Sequence, residues 1–153
     1  MNMRGFTARV TTTKEGTILK QYHAAFIWQC SREAMFLKLL NNYSRYPKLL
    51  REGKDFIEIS YCGERIKNLA QYADQKHDIL EPLKIQKIKH RDINPKNLLV
   101  RNDKLYLIDF GYSIFDYEKD TPIPADARLG GIFYPGKPDM WDDSFAFDLT
   151  MRS

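Results

Sequence analysis

Cysteine is scarce in this chain. Its two cysteines, Cys30 and Cys62, lie far apart in unrelated contexts. No metal-ligand spacing surrounds them and no disulfide framework is implied, so both are expected to be small buried thiols. Long apolar runs are missing too: nothing approaches the roughly 20 residues that a membrane-crossing helix needs. No apolar leader core follows Met1-Asn2-Met3-Arg4-Gly5, so the expected location is cytoplasmic. Internal repeats and low-complexity segments are absent, which excludes solenoids and arrays. There is no stripe of Lys and Arg interleaved with aromatics. The net charge of +4 suits anionic partners, but the basic residues are scattered, and nucleic acid is not an expected partner. The densest basic group, Lys84, Lys87 and Lys89, is expected along the solvent face of a helix.

What is present is globular: 43% hydrophobic and 13% aromatic residues in a chain of 153. That is enough for one domain, or two small lobes around a cleft. The chain is organised around His90-Arg91-Asp92-Ile93-Asn94-Pro95-Lys96-Asn97 and, further on, Asp109-Phe110-Gly111. Between them, Leu98–Val100 and Leu105–Ile108 read as short strands joined by the turn Arg101-Asn102-Asp103-Lys104. Such a hairpin brings Asn97 and Asp109 close together. Two oxygen ligands beside one turn suit a hard cation such as Mg²⁺, which keeps its other positions for water and phosphate. Asp92, outside that pair, is left to orient a hydroxyl.

H-R-D-x4-N followed by D-F-G resembles the signature pair of the protein-kinase superfamily. The resemblance implies an α+β, two-lobed fold within a single domain over 1–153. A small antiparallel-sheet N-lobe takes 1–60, a hinge 61–64, and an abbreviated helical C-lobe 65–153. It implies ATP and Mg²⁺ as cofactors, Asn97 and Asp109 as metal ligands, and Asp92 as the residue that accepts the hydroxyl hydrogen. His90 packs beneath Phe110 in the family. Arg91 is a structural charge that can meet a phosphorylated loop residue.

The rest of the chain is placed on the same pattern. Phe6, Ala8, Val10 and Thr12 alternate with polar residues as in a strand, Lys14-Glu15-Gly16 is a turn, and 17–22 is the returning strand. Thr-Ile-Leu-Lys resembles the family's V-A-I-K, so Lys20 becomes the phosphate-holding lysine. Ser31 is a good N-cap for a helix over 32–42, with Met35, Phe36, Leu39 and Leu40 as its apolar stripe and Leu37 at the edge. Glu33, in the first turn of that helix, is the expected partner of Lys20. A strand over 55–61 resembles the fifth strand and hinge. Ile59 would border the adenine pocket, and the backbone of Ser60, Tyr61 and Cys62 would contact the base. Helices are expected over 66–73 and 79–89, with Asp78 capping the second and Pro82 tolerated only in its first turn. Residues 112–128 have the composition of a loop. Gly130–Pro135 resembles the stretch that closes the activation segment. Asp143, or else Asp142, resembles the acid that supports the catalytic-loop backbone.

The sequence departs from the family in three ways. No Gly-rich loop precedes Lys20, where only Gly5 is present. The lysine that Ser/Thr protein kinases carry two residues after the catalytic Asp is replaced by Asn94. The later helices of the large lobe have no counterpart. The implied activity is Mg-ATP-dependent phosphoryl transfer to a hydroxyl, with a serine/threonine protein kinase read first. A small-molecule or lipopolysaccharide-type sugar kinase is the alternative, and a non-catalytic nucleotide-binding pseudokinase a second one. The expected partners are ATP and a protein or small-molecule acceptor.

Overall fold

The computed structural model describes residues 2–4, 7–118 and 141–152. The 119–128 part of the expected loop, the Gly130–Pro135 stretch and Gly5 lie outside the described residues.

Five strands form one antiparallel sheet in the order β1-β2-β3-β5-β4: β1 Asn2–Arg4, β2 Ala8–Thr12, β3 Ile18–Tyr22, β4 Leu49–Glu52 and β5 Phe56–Ile59. The alternation read in 8–22 and 55–61 becomes side-chain direction. Lys20, Tyr22, Ile57 and Ile59 are buried, while Gln21 between the first two is exposed. Gly16, at φ +82°, lets the β2–β3 connection close through Thr13 and Thr17. The sequence left little room before Gly5 for a first strand. Three residues suffice, because all of them pair with β2, from Asn2 opposite Thr11 to Arg4 opposite Arg9.

The helix behind this sheet starts earlier than expected. A short 3-10 turn, Ala24–Phe26, leads into α1, Ile27–Leu39. Ser31 therefore lies inside α1, where its hydroxyl donates to the Trp28 carbonyl at 3.3 Å, and it caps nothing. Glu33 therefore sits in the second turn of α1 and not, as expected, in the first. The buried face is Phe26, Cys30, Ala34, Leu37 and Leu40, together with Phe36, Gln29 and Glu33; Leu39 points outward. Two polar residues on the core face hid the true stripe.

The second half is built from short pieces. A 3-10 segment, Leu69–Gln75, runs into α2, Lys76–Ile85. Asp78 is in the first turn of α2 and bonds Arg45; Gln75, not Asp78, is the N-cap. Pro82 stands inside the helix, where it lacks the N–H that would bond the Asp78 carbonyl, and α2 ends within a turn. Lys87 then adopts φ +59°. Lys89 enters β6, Ile88–Lys89, which pairs with β9, Ile114–Phe115. The three lysines thus do not share one helix. The expected hairpin is present as β7, Leu98–Arg101, and β8, Lys104–Leu107. Its two central residues, Asn102 and Asp103, have φ +52° and +62°, the turn whose twist suits a two-residue hairpin. Gly63, at φ +113°, lets Glu64 pair with Val100: a Cβ there would lie 2.2 Å from the Val100 carbonyl oxygen. Finally α3, Asp143–Arg152, buries Ala146, Phe147 and Met151 against α2 and the 3-10 segment. Asp142 caps it by accepting from the Phe145 N–H at 3.0 Å.

Candidate active site

Strand β3, helix α1 and the segment after β8 each deliver one charge to the same place. Lys20 Nζ donates to Glu33 Oε1 at 2.8 Å and to Asp109 Oδ1 at 3.2 Å. The Lys20 and Glu33 side chains are 9% and 2% exposed, whereas that of Asp109 is 35% exposed. Burial works against the ammonium of Lys20, but the carboxylates of Asp109 and Glu33 outweigh it and hold its pKa well above the ordinary value. Burial also works to raise the Asp109 carboxyl. The Lys20 ammonium and the Gly111 N–H, at 3.2 Å, overcome it and leave that carboxyl below its usual range.

Two further donors fix Glu33. Phe110 N–H reaches Oε2 at 2.7 Å, so the D-F-G backbone is latched to α1. The hydroxyl of Tyr22 donates to Oε1, and its ring lies 5.2 Å from the Lys20 ammonium. Tyr22 was missed by the sequence reading. Its only signal was the period-two spacing from Lys20 on β3, which puts both on one face. Arg32, one residue before Glu33, bonds Glu118 at 2.8 Å and the Ser113 carbonyl at 3.3 Å, tying α1 to the chain beyond D-F-G. Gln29, a turn earlier, is buried against Gly111.

The second cluster is the loop 90–97. Asp143, rather than Asp142, holds its backbone: the carboxylate accepts from His90 N at 2.8 Å and Arg91 N at 2.9 Å. His90 packs edge-on against Phe110 at 4.8 Å and bonds the Ile108 carbonyl at 2.9 Å. Burial holds its imidazole below the ordinary value, against the pull of Asp143. Arg91 and Asp109 both adopt positive φ, +67° and +65°, within the two motifs; Asp tolerates this region, whereas for Arg it is uncommon. Arg91 Nε donates to the Tyr112 carbonyl. The Asp92 carboxylate faces two amides. Asn97 Nδ2 donates to its Oδ2 at 3.0 Å and its carbonyl at 2.9 Å; Asn94 Nδ2 donates to its Oδ1 at 3.0 Å and the same carbonyl at 3.1 Å. Ile108 N bonds the Asn97 carbonyl at 3.0 Å, which sets Asn97 beside the chain that carries Asp109.

Of the expected base-binding residues, Ile59 is buried on β5 opposite Ile18. The amide of Ser60 is taken by the Lys48 carbonyl at 3.0 Å, and the Tyr61 carbonyl accepts from Arg101 at 3.1 Å. The Ser60 carbonyl is approached by the Cys62 thiol at 3.7 Å. Both cysteines are buried and unbridged; burial pushes Cys62 up to about 12 and Cys30 up to about 11. His23 and His77 are exposed and enter neither cluster.

Among the described residues no group of three or more His, Cys, Asp or Glu converges as a metal site. The donor pair expected for Mg²⁺ is an amide oxygen and a carboxylate. It fits a hard cation: the Asn97 nitrogen is engaged by Asp92, which leaves its oxygen for another partner, and Asp109 is partly exposed. A separate cavity of about 830 Å³ lies between α2 and the start of α3 and does not border Lys20, Asp92 or Asp109. No helix among the described residues is long and apolar enough to cross a membrane.

No family model and no curated protein matches this chain. Solved structures do, 865 chains of them. One is the streptomycin–ATP–APH(2'')-IIa ternary complex, an aminoglycoside phosphotransferase. It is 15% identical, with a TM-score of 0.53, over 74% of this chain and 65% of that chain. This chain thus spans under two thirds of that neighbour. At such identity the likeness is one of fold. The fold is α+β, two-lobed and protein-kinase-like, as the motifs implied.

Proposed function

We propose that this chain is an Mg-ATP-dependent phosphotransferase acting on a hydroxyl acceptor. The observation that carries this reading is the Lys20–Glu33–Asp109 assembly, its first two members buried, latched to the Phe110 N–H. A structural ion pair needs no third, partly exposed charge, nor a backbone latch from the D-F-G segment beside it. Phosphoryl transfer, by contrast, asks a protein mainly to position groups and to offset charge. Lys20, steadied by Glu33 and Tyr22, meets phosphate oxygens. Asn97 and Asp109 would hold the metal, which when bound offsets further phosphate charge. Asp92, fixed by its amides, accepts the hydrogen of the acceptor hydroxyl and aligns its oxygen for attack. The base rests against Ile59 and meets the Ser60 carbonyl and the Cys62 main chain. In this reading the N-lobe is 1–60, the hinge 61–64 and the C-lobe 65–153.

A protein serine or threonine is one acceptor. Two observations favour a small-molecule hydroxyl instead. Asn94 is turned onto Asp92, so no lysine stands there, and the similar fold of known complex holds streptomycin beside ATP. The test is purified protein with Mg²⁺ and γ-labelled ATP, offered protein and amino-sugar acceptors, beside Asp92→Asn and Asp109→Asn. Label reaching an acceptor in the wild type and lost in both variants is the expected result. ATP binding that depends on Asp109, with no transfer to acceptor or water, would instead make the chain a nucleotide-binding module.

A further inference from the structure

The loop around Asp92 holds more donors than a hydroxyl-orienting carboxylate requires. Lys96 N–H can only donate, and it meets Asn94 Oδ1 at 2.8 Å. That bond fixes which end of the amide is oxygen, so the nitrogen must face Asp92, where it lies 3.0 Å from Oδ1 and 3.1 Å from the carbonyl. Asn97 approaches the other carboxylate oxygen from the far side, at 3.0 Å. Each oxygen of Asp92 therefore receives one amide N–H, and the carboxylate plane is held between two short, stiff side chains. The backbone supports the clamp: Asn97 N donates to the Asn94 carbonyl at 3.0 Å, so the two asparagines span one turn. Asn94 itself is half-buried and Asp92 buried.

We propose that Asn94 is a positioning residue that sets the orientation of the Asp92 carboxylate in the transfer step. This inference rests on the phosphotransferase reading above. At the place where the resembled Ser/Thr protein kinases carry a mobile cation, this chain carries a rigid neutral donor. The role of the side chain differs accordingly, since the amide aims the carboxylate and does not reach for phosphate. Asn94 is not itself a catalytic residue, because its side chain is engaged by Asp92 and by the Lys96 backbone.

A loop-turn role alone would give a different order of variants. Asn and Asp form the turn to Lys96 N–H equally well, and Ser does so more weakly. If the turn were all that mattered, Asn94→Asp would match the wild type, with Asn94→Ser below it and Asn94→Ala lowest. Aiming Asp92 requires a donor, which gives the order Asn, Ser, Ala, Asp, because a carboxylate at 94 repels the one at 92. The experiment is steady-state transfer of label from γ-labelled ATP with Mg²⁺ to the acceptor found in the screen, or to water. kcat and the KM for ATP are resolved, and thermal unfolding is followed in parallel. Expected are a kcat loss of about tenfold in Asn94→Ala and about a hundredfold in Asn94→Asp, with KM for ATP within about twofold and unfolding little changed. An active wild type with Asn94→Asp at wild-type kcat overturns the inference and leaves the phosphotransferase reading standing. So does a loss in Asn94→Asp that follows its unfolding or falls on KM alone. An inactive wild type overturns that reading and the inference with it.

Discussion

The cleft holds two polar clusters built on opposite plans. In one, Lys20, Glu33 and Asp109 bring full charges together across sequence separations of 13 and 89 residues, with the first two side chains almost wholly withdrawn from water. In the other, the Asp92 carboxylate accepts from the amides of Asn94 and Asn97, two and five residues away. The first joins a strand, a helix and a loop, and exists only when both halves of the molecule have come together. The second is the internal order of one loop, steadied from outside by Asp143. The contrast teaches that the charged cluster depends on packing between distant parts of the chain, whereas the amide contacts to Asp92 are set by the geometry of one loop.

Breaking the charged cluster should do the greater damage. Lys20→Met leaves two carboxylates facing each other without their cation. It should cost about 3–5 kcal/mol in urea unfolding, as removal of one partner of a buried pair does. Asn97→Ala removes donors to an acid that Asn94 still holds, and about 1–2 kcal/mol is expected. An Asn97→Ala cost equal to that of Lys20→Met would overturn the contrast.

Tyr22→Phe sharpens it. The ring stays beside Lys20, and only the hydroxyl that reaches Glu33 is lost. A loss near 1.5–3 kcal/mol is expected for a hydrogen bond to a buried carboxylate. An unchanged unfolding curve would mean that Lys20 and Phe110 N–H satisfy Glu33 without it.

The smallest effect is one of pH and belongs to the loop. Burial holds the His90 imidazole below its ordinary value, outweighing Asp143 and the Ile108 carbonyl. The unfolded chain therefore takes up a proton at a pH where the folded chain does not. This contribution is whole above the ordinary imidazole value of about 6.5 and is lost progressively as the pH falls below it toward the folded value. Calorimetric Tm should decline as the pH falls below about 6.5, opposed in part by Asp143, whose carboxyl burial raises above its usual range. A Tm that does not decline there counts against the burial argument.

Legibility followed the range of the interaction. The β7–β8 hairpin was readable because alternating apolar residues flank Asn102-Asp103, a pair suited to positive φ. The acid supporting the loop was narrowed to two neighbours, but only the fold chose between Asp142 as the cap of α3 and Asp143 as support for His90 and Arg91. Helix α1 was misplaced because Gln29 and Glu33 are polar residues on a buried face, and a reading by hydrophobic stripe rejects them. The turn at Lys87 and the three-residue β1 were decided by partners: β2 for β1, and β9 for the strand that follows Lys87.

By itself, the sequence determined the chemistry on offer: which loop carries Asp92 between amides, which hairpin joins Asn97 to Asp109, and which residue types can face a phosphate. These are short-range facts, set by backbone geometry over a few residues. Only the tertiary structure decided that Lys20 meets both Glu33 and Asp109, that Tyr22 and Phe110 N–H complete the shell of Glu33, and that the Ser60 amide belongs to Lys48. The physical reason is burial. A charge or polar group withdrawn from water takes whatever partner packing brings to it, and that partner comes from a part of the chain that local pattern does not specify.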